Sequence, residues 1–223
     1  AGAMLLSLAA CGSTSGGASA ADTNITADSV VSSDKAGSTN TGSTVTDADI
    51  AAQLADAVTL TFSDSGITAD GSGGFETDGT ALTITDAGAY VLTGSCADGS
   101  VKVKKGVTGV TLVLSGLELT SADTAPITCA KSSQVVLYAA AGTENRLADT
   151  AQNNDETYSE NADAENAVIK CKDGSQVTLC GSGSLVIEAN GKNGIKSGAT
   201  TAEEGEASLT IRELTLIINA PIN

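Results

Sequence analysis

Carboxylates are dense in one stretch of this chain, and their chemistry suits a hard cation. Residues 149–165 hold six acids and no base: Asp149, Asp155, Glu156, Glu160, Asp163 and Glu165. Ca²⁺ takes about six to eight oxygens from carboxylates, amides and carbonyls. The spacing is neither that of an EF-hand nor that of a calcium-binding β-roll. The stretch therefore predicts either a calcium site where it joins the rest of the chain or a solvated acidic loop.

Two asparagines indicate where such a site would lie. Asn166 stands three residues before Ile169, and Asn193 stands two residues before Ile195. The two isoleucines occupy one position of an internal repeat, so both amides are expected at the same corner. Neutral amides need acids nearby to bind calcium. The predicted metal ligands are Asp149, Glu165, Asn166, Asn193, Asp163 and Glu144, and the alternative is a hydrogen-bonded asparagine ladder.

The charge balance narrows the classes of partner. The chain has 27 acids, 11 bases and a formal net charge of −16, which argues against nucleic acid because a basic surface supplies most of that affinity. The absence of His removes the usual general base and zinc ligand. Five scattered aromatic rings cannot form a stacking platform, and Tyr158 is the one ring that we would test against sugar. Recognition by charge is favoured over stacking.

The elements that position these residues are short strands. From residue 58 onwards apolar residues alternate with polar ones, and Gly, Asn and Asp separate the alternating runs. Residues 125–137 match residues 167–179 at seven of thirteen positions. The shared isoleucine recurs at Ile127, Ile169 and Ile195, with spacings of 42 and 26 residues; the acidic stretch accounts for the difference of 16. In-register repeats of about 25 residues predict a parallel β-helix rather than a sandwich.

This alignment makes specific predictions for the core. Ile127, Ile169 and Ile195 should lie one above another on neighbouring strands. Val135 should face Val177, and Cys129 should face Cys171. Stacked side chains that point the same way are poorly placed for a disulfide. We therefore expect the cysteines at positions 96, 129, 171 and 180 to be buried thiols.

The first 46 residues differ from the repeat. Residues 4–11 are an apolar run that ends in Leu8-Ala9-Ala10-Cys11, which looks like a lipobox without its basic leader. Residues 12–46 are rich in Gly, Ser, Thr and Asp and predict a disordered tether. The domains are thus a clipped signal (1–11), a linker (12–46) and a folded body (47–223). Residues 46–58 predict a short helix or an extended segment.

Seven segments resemble one bacterial family, in the order in which they occur. They are VTLTF (58–62), TITDAGAYVLTG (83–94), VLSGLELT (113–120), GTENRL (142–147), NAVI (166–169), GSGSL (181–185) and NGI (193–195). They look like the extracellular, calcium-binding carbohydrate-binding domains, a member of which binds polygalacturonic acid. The resemblance implies a right-handed parallel β-helix with a pectate-lyase-like solenoid, truncated at its C-terminus. It also implies calcium as cofactor.

Three functions follow as hypotheses. The first is a lipid-anchored module on the extracellular face of the bacterial membrane. It would be held only through Cys11, monomeric and not an enzyme, and calcium would bridge it to an acidic plant-type polysaccharide. The second is a calcium-dependent polysaccharide lyase, and the third is an adhesin or stalk. Candidate bases for a lyase show no particular arrangement, and we interpret them as surface charges: Lys170, Lys172, Lys192, Lys196, Arg146 and Arg212.

Overall fold

The computed structural model describes residues 25–26, 50 and 52–221. The predicted lipobox with Cys11 and most of the predicted linker lie outside these residues. Within the linker, Ile25 and Thr26 are described, and they pair antiparallel with the last strand. No helix in the described residues is long and apolar enough to cross a membrane.

The described chain is all-β apart from one short helical turn. Its strands are β1 (Ile25–Thr26), β2 (Val58–Ser63), β3 (Gly66–Ala69), β4 (Phe75–Asp78), β5 (Ala81–Ile84), β6 (Gly88–Cys96), β7 (Ser100–Val103), β8 (Val110–Ser121), β9 (Ile127–Cys129), β10 (Gln134–Ala139), β11 (Glu144–Asp149), β12 (Ala167–Cys171), β13 (Gln176–Cys180), β14 (Ser184–Glu188), β15 (Asn193–Lys196), β16 (Ser208–Ile211) and β17 (Thr215–Asn219). Alternating apolar side chains fill their inward positions, as a half-buried strand requires.

These strands form two mixed, mainly parallel sheets. The first sheet has the order β1-β17-β14-β11-β8-β10-β13-β16, with β6 also on β8 and β2 between β3 and β6. The second sheet has the order β15-β12-β9-β7-β5-β4. In the later part of the chain most partners are three strands apart in sequence, as in β9, β12 and β15. The chain therefore returns to each position after three strands.

The register of the parallel strands confirms the predicted repeat alignment. Ile169 pairs with Ile127 on one side and with Ile195 on the other. Val135 pairs with Val177. Ile127 and Ile169 have no exposed surface, and Ile195 packs against the same core. The recurring isoleucine therefore marks equivalent inward positions of successive strands.

Two hairpins depart from the expected parallel stacking at the start of the body. β2 pairs antiparallel with β3, and β4 pairs antiparallel with β5. The connections are two residues long, and so short a loop can join only antiparallel strands. Gly79 in the second connection has φ +58°, which a side chain disfavours. The dipeptide Asp78-Gly79 was an available sequence signal for this turn.

Part of the first sheet is covered on its outer side. The helical turn that ends in a 3₁₀ segment at Leu54–Asp56 lies over it. This covered face consists of Val91, Val113, Val136, Tyr138, Ala140 and Cys180, against which Ile50 and Leu54 pack. Gln53 accepts a hydrogen bond from the Thr111 hydroxyl at 2.6 Å. Of the two predictions for residues 46–58, the helical one is confirmed at residue 50 and residues 52–56, whereas Val58 is the first residue of β2.

The cysteines of the described chain are thiols, as expected. Cys96, Cys129, Cys171 and Cys180 are free and buried. Cys129 and Cys171 are in-register neighbours. Their hydrogen bond and their burial raise the pKa of Cys129 well above its ordinary value. Cys129 therefore stays protonated, and both residues are buried parts of the core.

Candidate functional site

The predicted calcium corner lies at the end of β11, where Asp149 is the last residue of the strand. Its side chain is 1% exposed. One carboxylate oxygen accepts hydrogen bonds from the backbone N–H groups of Asn190 at 2.6 Å and Gly191 at 3.0 Å. The other accepts a hydrogen bond from the Asn153 amide at 2.8 Å. Three N–H donors therefore hold this carboxylate in place at the corner.

Asn153 ties the acidic insertion to this corner. It is fully buried, and its amide also donates to the carbonyl of Ala167 at 3.0 Å. Its side-chain oxygen accepts from the backbone N–H groups of Glu165 at 2.7 Å and Asn166 at 3.1 Å. One side chain thus joins both ends of the insertion, so the insertion is a fixed part of the surface rather than a free loop.

The two predicted asparagines meet, but they do not stack as a pair. Asn193 pairs in register with Ala167, one position beyond Asn166. Its amide donates to the carbonyl of Asn166 at 2.7 Å. The side chain of Asn166 exchanges two hydrogen bonds with Asp155, at 2.7 and 3.0 Å. The corner is a hydrogen-bonded network of Asp and Asn side chains.

The remaining predicted ligands lie elsewhere. Glu144 is exposed at the opposite end of β11, five residues from Asp149, which is roughly 16 Å along a strand. Asp163 lines an open cleft of about 280 Å³ together with Asp98 and Asp123. The Glu165 carboxylate forms an ion pair with Lys172. The fold therefore brings Asp149, Asn166 and Asn193 together and separates the other three carboxylates from them.

This corner does not fit a calcium ion as it stands. The Asp149 carboxylate and the side-chain oxygens of Asn153 and Asn166 are all used by N–H donors. Among the described residues there is no group of three or more His, Cys, Asp or Glu side chains that could hold one metal ion. Calcium binding stays a prediction.

A second arrangement, on the outer side of the second sheet, is basic. Lys102 on β7, Thr128 on β9, Lys170 on β12 and Lys196 on β15 are successive in-register neighbours. Thr83 on β5 continues this row beyond Lys102. We call Lys102, Lys170 and Lys196 the lysine row. They project outwards because their neighbours Val101, Ile169 and Ile195 project into the core.

No acid lies on the strands that carry the row. β5, β7, β9, β12 and β15 contain no Asp or Glu. Lysines beside the row are paired with acids: Lys105 and Lys131 with Glu204, Lys172 with Glu165 and Lys192 with Glu156. The three lysines of the row have no salt bridge in the described structure. Salt bridges therefore neutralise the lysines beside the row, whereas the lysines of the row itself have none.

Lys170 lies in surroundings that disfavour its charged form. Its partial burial lowers its pKa from the ordinary value, and the like charges of Lys196 and Lys172 lower it further. The nearby carboxylates Glu165 and Asp173 act in the opposite direction. A negatively charged ligand beside Lys170 would offset this repulsion and stabilise the charged ammonium group.

The lysine row was only partly anticipated. Lys170 and Lys196 were candidates, whereas Lys102 was missed. The 26-residue step that relates Ile169 to Ile195 also relates Val101 to Ile127. The same step, counted back from Thr128, leads to Lys102 and would have placed this lysine in the row. Of the remaining lyase candidates, Arg146 forms an ion pair with Glu188 at 3.2 Å on the first sheet.

Comparison with known proteins identifies the class to which this chain belongs. The sequence profile of the family described as carbohydrate-binding domain-containing proteins matches residues 77–219, which is more than half of the chain. The chain belongs to this carbohydrate-binding domain family. An Acetivibrio thermocellus protein of the same description is 31% identical over 137 residues, covering 61% of this chain and 46% of the relative. The chain thus spans about half of the length of that relative.

One solved structure has a similar fold. It is the polysaccharide lyase-like protein from C. thermocellum, in its gadolinium derivative. It superimposes with a TM-score of 0.57 at 28% identity, over 71% of this chain and 60% of that chain.

Proposed function

We propose that this protein is a non-catalytic module that binds an acidic polysaccharide of the polygalacturonate type. Family membership supports a carbohydrate as the ligand. The observation that carries the acidic assignment is the lysine row, whose three lysines form no salt bridge among the described residues of an otherwise acidic protein. A chain with net charge −16 repels a polyanion at long range. Contact is therefore favoured where the positive charge is concentrated.

The finer features of the proposal concern architecture and location. The return of the chain to each position after three strands supports a right-handed parallel β-helix as the architecture. We further propose a monomer that is anchored through a lipid on Cys11 at the extracellular face of the membrane. These features suit a module that presents one long face to a polymer. They do not depend on which of its faces binds the polymer.

A polysaccharide panel tests the proposal. The full chain should bind immobilised polygalacturonate and other polyuronates and should not be retained by neutral polysaccharides of similar length. Added salt should weaken the binding, because exposed charge pairs are screened at ionic strengths above about 0.1 M. Equal retention by neutral and acidic polymers would contradict the proposal, as would the absence of binding to all of them.

The calcium dependence that the resemblance implies is tested separately. The panel should be repeated with a chelator and with added calcium, and calcium binding should be measured by calorimetry in the absence of sugar. Binding that needs calcium would support the cation-bridged form that the resemblance implies. Binding that persists in chelator would support direct contact with the lysines.

A lyase is the second candidate function, and the lowered pKa of Lys170 is the observation that favours it. A lysine that loses its proton more readily is better suited to abstract the proton α to a uronate carboxyl group. Incubation with polygalacturonate should then produce unsaturated uronates, which are detected by their ultraviolet absorbance. Loss of that absorbance in Lys170→Gln would support catalysis, and no product from the native chain would exclude it for this substrate.

A further inference from the structure

The lysine row has a direction, which is set by the strand register. Its members lie on different strands and share one register position, so the row runs across the strands. Neighbouring strands are about 4.8 Å apart. Lys170 and Lys196 are therefore about 5 Å apart at the backbone. Lys102 and Lys170, with Thr128 between them, are separated by about 10 Å.

Such a row is unfavourable in the free protein. Like charges directly opposite one another on neighbouring strands destabilise a sheet, and Lys170 and Lys196 are directly opposite. Acids on nearby connections neutralise the flanking lysines instead, with Glu204 accepting from Lys105 at 2.7 Å. A ligand that brings negative charge along the row would remove this repulsion.

We propose that an acidic polysaccharide lies across the strands of the second sheet, with carboxylates of one polymer chain on Lys102, Lys170 and Lys196 and without a bridging cation. This inference rests on the proposed function and specifies where and how the polymer binds. A linear polymer with one carboxylate on each ring carries charges at intervals comparable to one or two strand spacings. The hydroxyl of Thr83, which is partly exposed, stands in the same row and can donate to ring oxygens or hydroxyl groups of the polymer. Thr128 is only 5% exposed and acts as a spacer between Lys102 and Lys170.

The lysines define where the polymer lies, but they do not require one conformation of the sugar rings. Each ammonium has three donors on a flexible stem, so the row tolerates small differences between strand spacing and ring spacing. No acid on these strands interrupts the path. Affinity should rise with chain length until an oligomer spans from Lys102 to Lys196 and should change little beyond that length.

The test compares two variants of equal net charge. One variant carries Lys102→Gln, Lys170→Gln and Lys196→Gln; the control carries Lys105→Gln, Lys131→Gln and Lys192→Gln, which removes three lysines that are paired with acids. Polygalacturonate binding by the full chain is measured in chelator, and circular dichroism verifies that both variants fold. The row variant should bind roughly tenfold more weakly, since three charge contacts near the surface are lost. The control should stay within about twofold of the native chain.

The outcomes separate this inference from the proposed function. If the native chain binds no acidic polysaccharide, the proposed function itself fails. If the native chain binds and both variants lose affinity equally, the function stands and the lysine row is wrong. Loss of native binding in chelator would overturn the cation-free contact. Tighter binding of a single-stranded oligonucleotide of matched charge would overturn the polysaccharide assignment of this face.

Discussion

The two sheets present outer faces that differ sharply, although similar strands build them. The covered face of the first sheet carries Val113, Tyr138 and Cys180, and a helical turn packs over them. The outer face of the second sheet carries the lysine row, in which Lys102 and Lys196 are exposed and Lys170 is half-buried. Inward residues are aliphatic in both cases. The inward positions thus maintain the stack, and the outward positions decide whether a face is closed by the chain or left for a ligand.

The sharpest test of this distinction uses two adjacent residues of β7. Val101 is fully buried and points inwards, whereas Lys102 is exposed and points outwards. Val101→Asp should unfold the protein or lower its stability by more than about 4 kcal/mol, because it buries an unpaired charge. Lys102→Asp should retain nearly native stability and weaken polymer binding. Chemical denaturation and pull-down measure the two effects, and equal destabilisation by both would refute the division into faces.

The covered face should respond in the opposite way to the lysine row. Ile50 is 2% exposed within the cluster on the first sheet. Ile50→Ala should lower the free energy of unfolding by about 2–4 kcal/mol, because it leaves a cavity under the helical turn. Polysaccharide binding by the folded fraction should be unchanged. A fall in affinity without a fall in stability would show that this face also contacts the polymer.

The acidic corner offers a test that combines stability with calcium. Asp149→Asn places an amide donor against the Asn153 amide, which cannot turn because its oxygen already accepts two backbone N–H groups. The substitution should cost about 1–3 kcal/mol of stability. Thermal unfolding with and without calcium provides the measurement. Calcium stabilisation of the native chain that vanishes in the variant would place the ion at this corner, whereas unchanged stabilisation would place it elsewhere.

The smallest effect concerns titration within the lysine row. Lys196→Gln removes a like charge that faces Lys170, so the pKa of Lys170 should rise towards its ordinary value. Side-chain NMR of the lysine ammonium groups follows this directly. In the native protein the charge of Lys170 is lost at a lower pH than that of an ordinary lysine. Polymer binding should accordingly weaken as pH rises through that lower value, and an unchanged Lys170 pKa in Lys196→Gln would contradict their coupling.

The sequence predicts most about the inward positions, because the core imposes a repeat on them. The recurrence of isoleucine at 127, 169 and 195 was sufficient to predict three neighbouring strands and their register. The two N-terminal hairpins lack that repeat and were not predicted. They follow from local turn chemistry at positions such as Gly79 rather than from stacking.

The candidate sites were less predictable, because they depend on contacts between distant segments. The concentration of acids in the insertion suggested a metal, but sequence does not show that Asn153 accepts two N–H groups and donates to Asp149. The lysine row was obscured because Thr128 interrupts it and because the insertion changes one step from 26 to 42 residues. Packing in the core does not impose a repeated residue type on the outward positions, so the sequence pattern does not identify them.

The hairpin of β4 and β5 has a consequence for self-association. A stack of in-register parallel strands ends in unpaired backbone groups, which are a template for adding strands from another copy. At one edge of the second sheet, however, the last strand is β4, which runs antiparallel to its neighbour and exposes Glu76 and Asp78. A second copy that docked there would meet reversed strand polarity and two negative charges. The hairpin should therefore act as a barrier to end-to-end polymerisation at that edge.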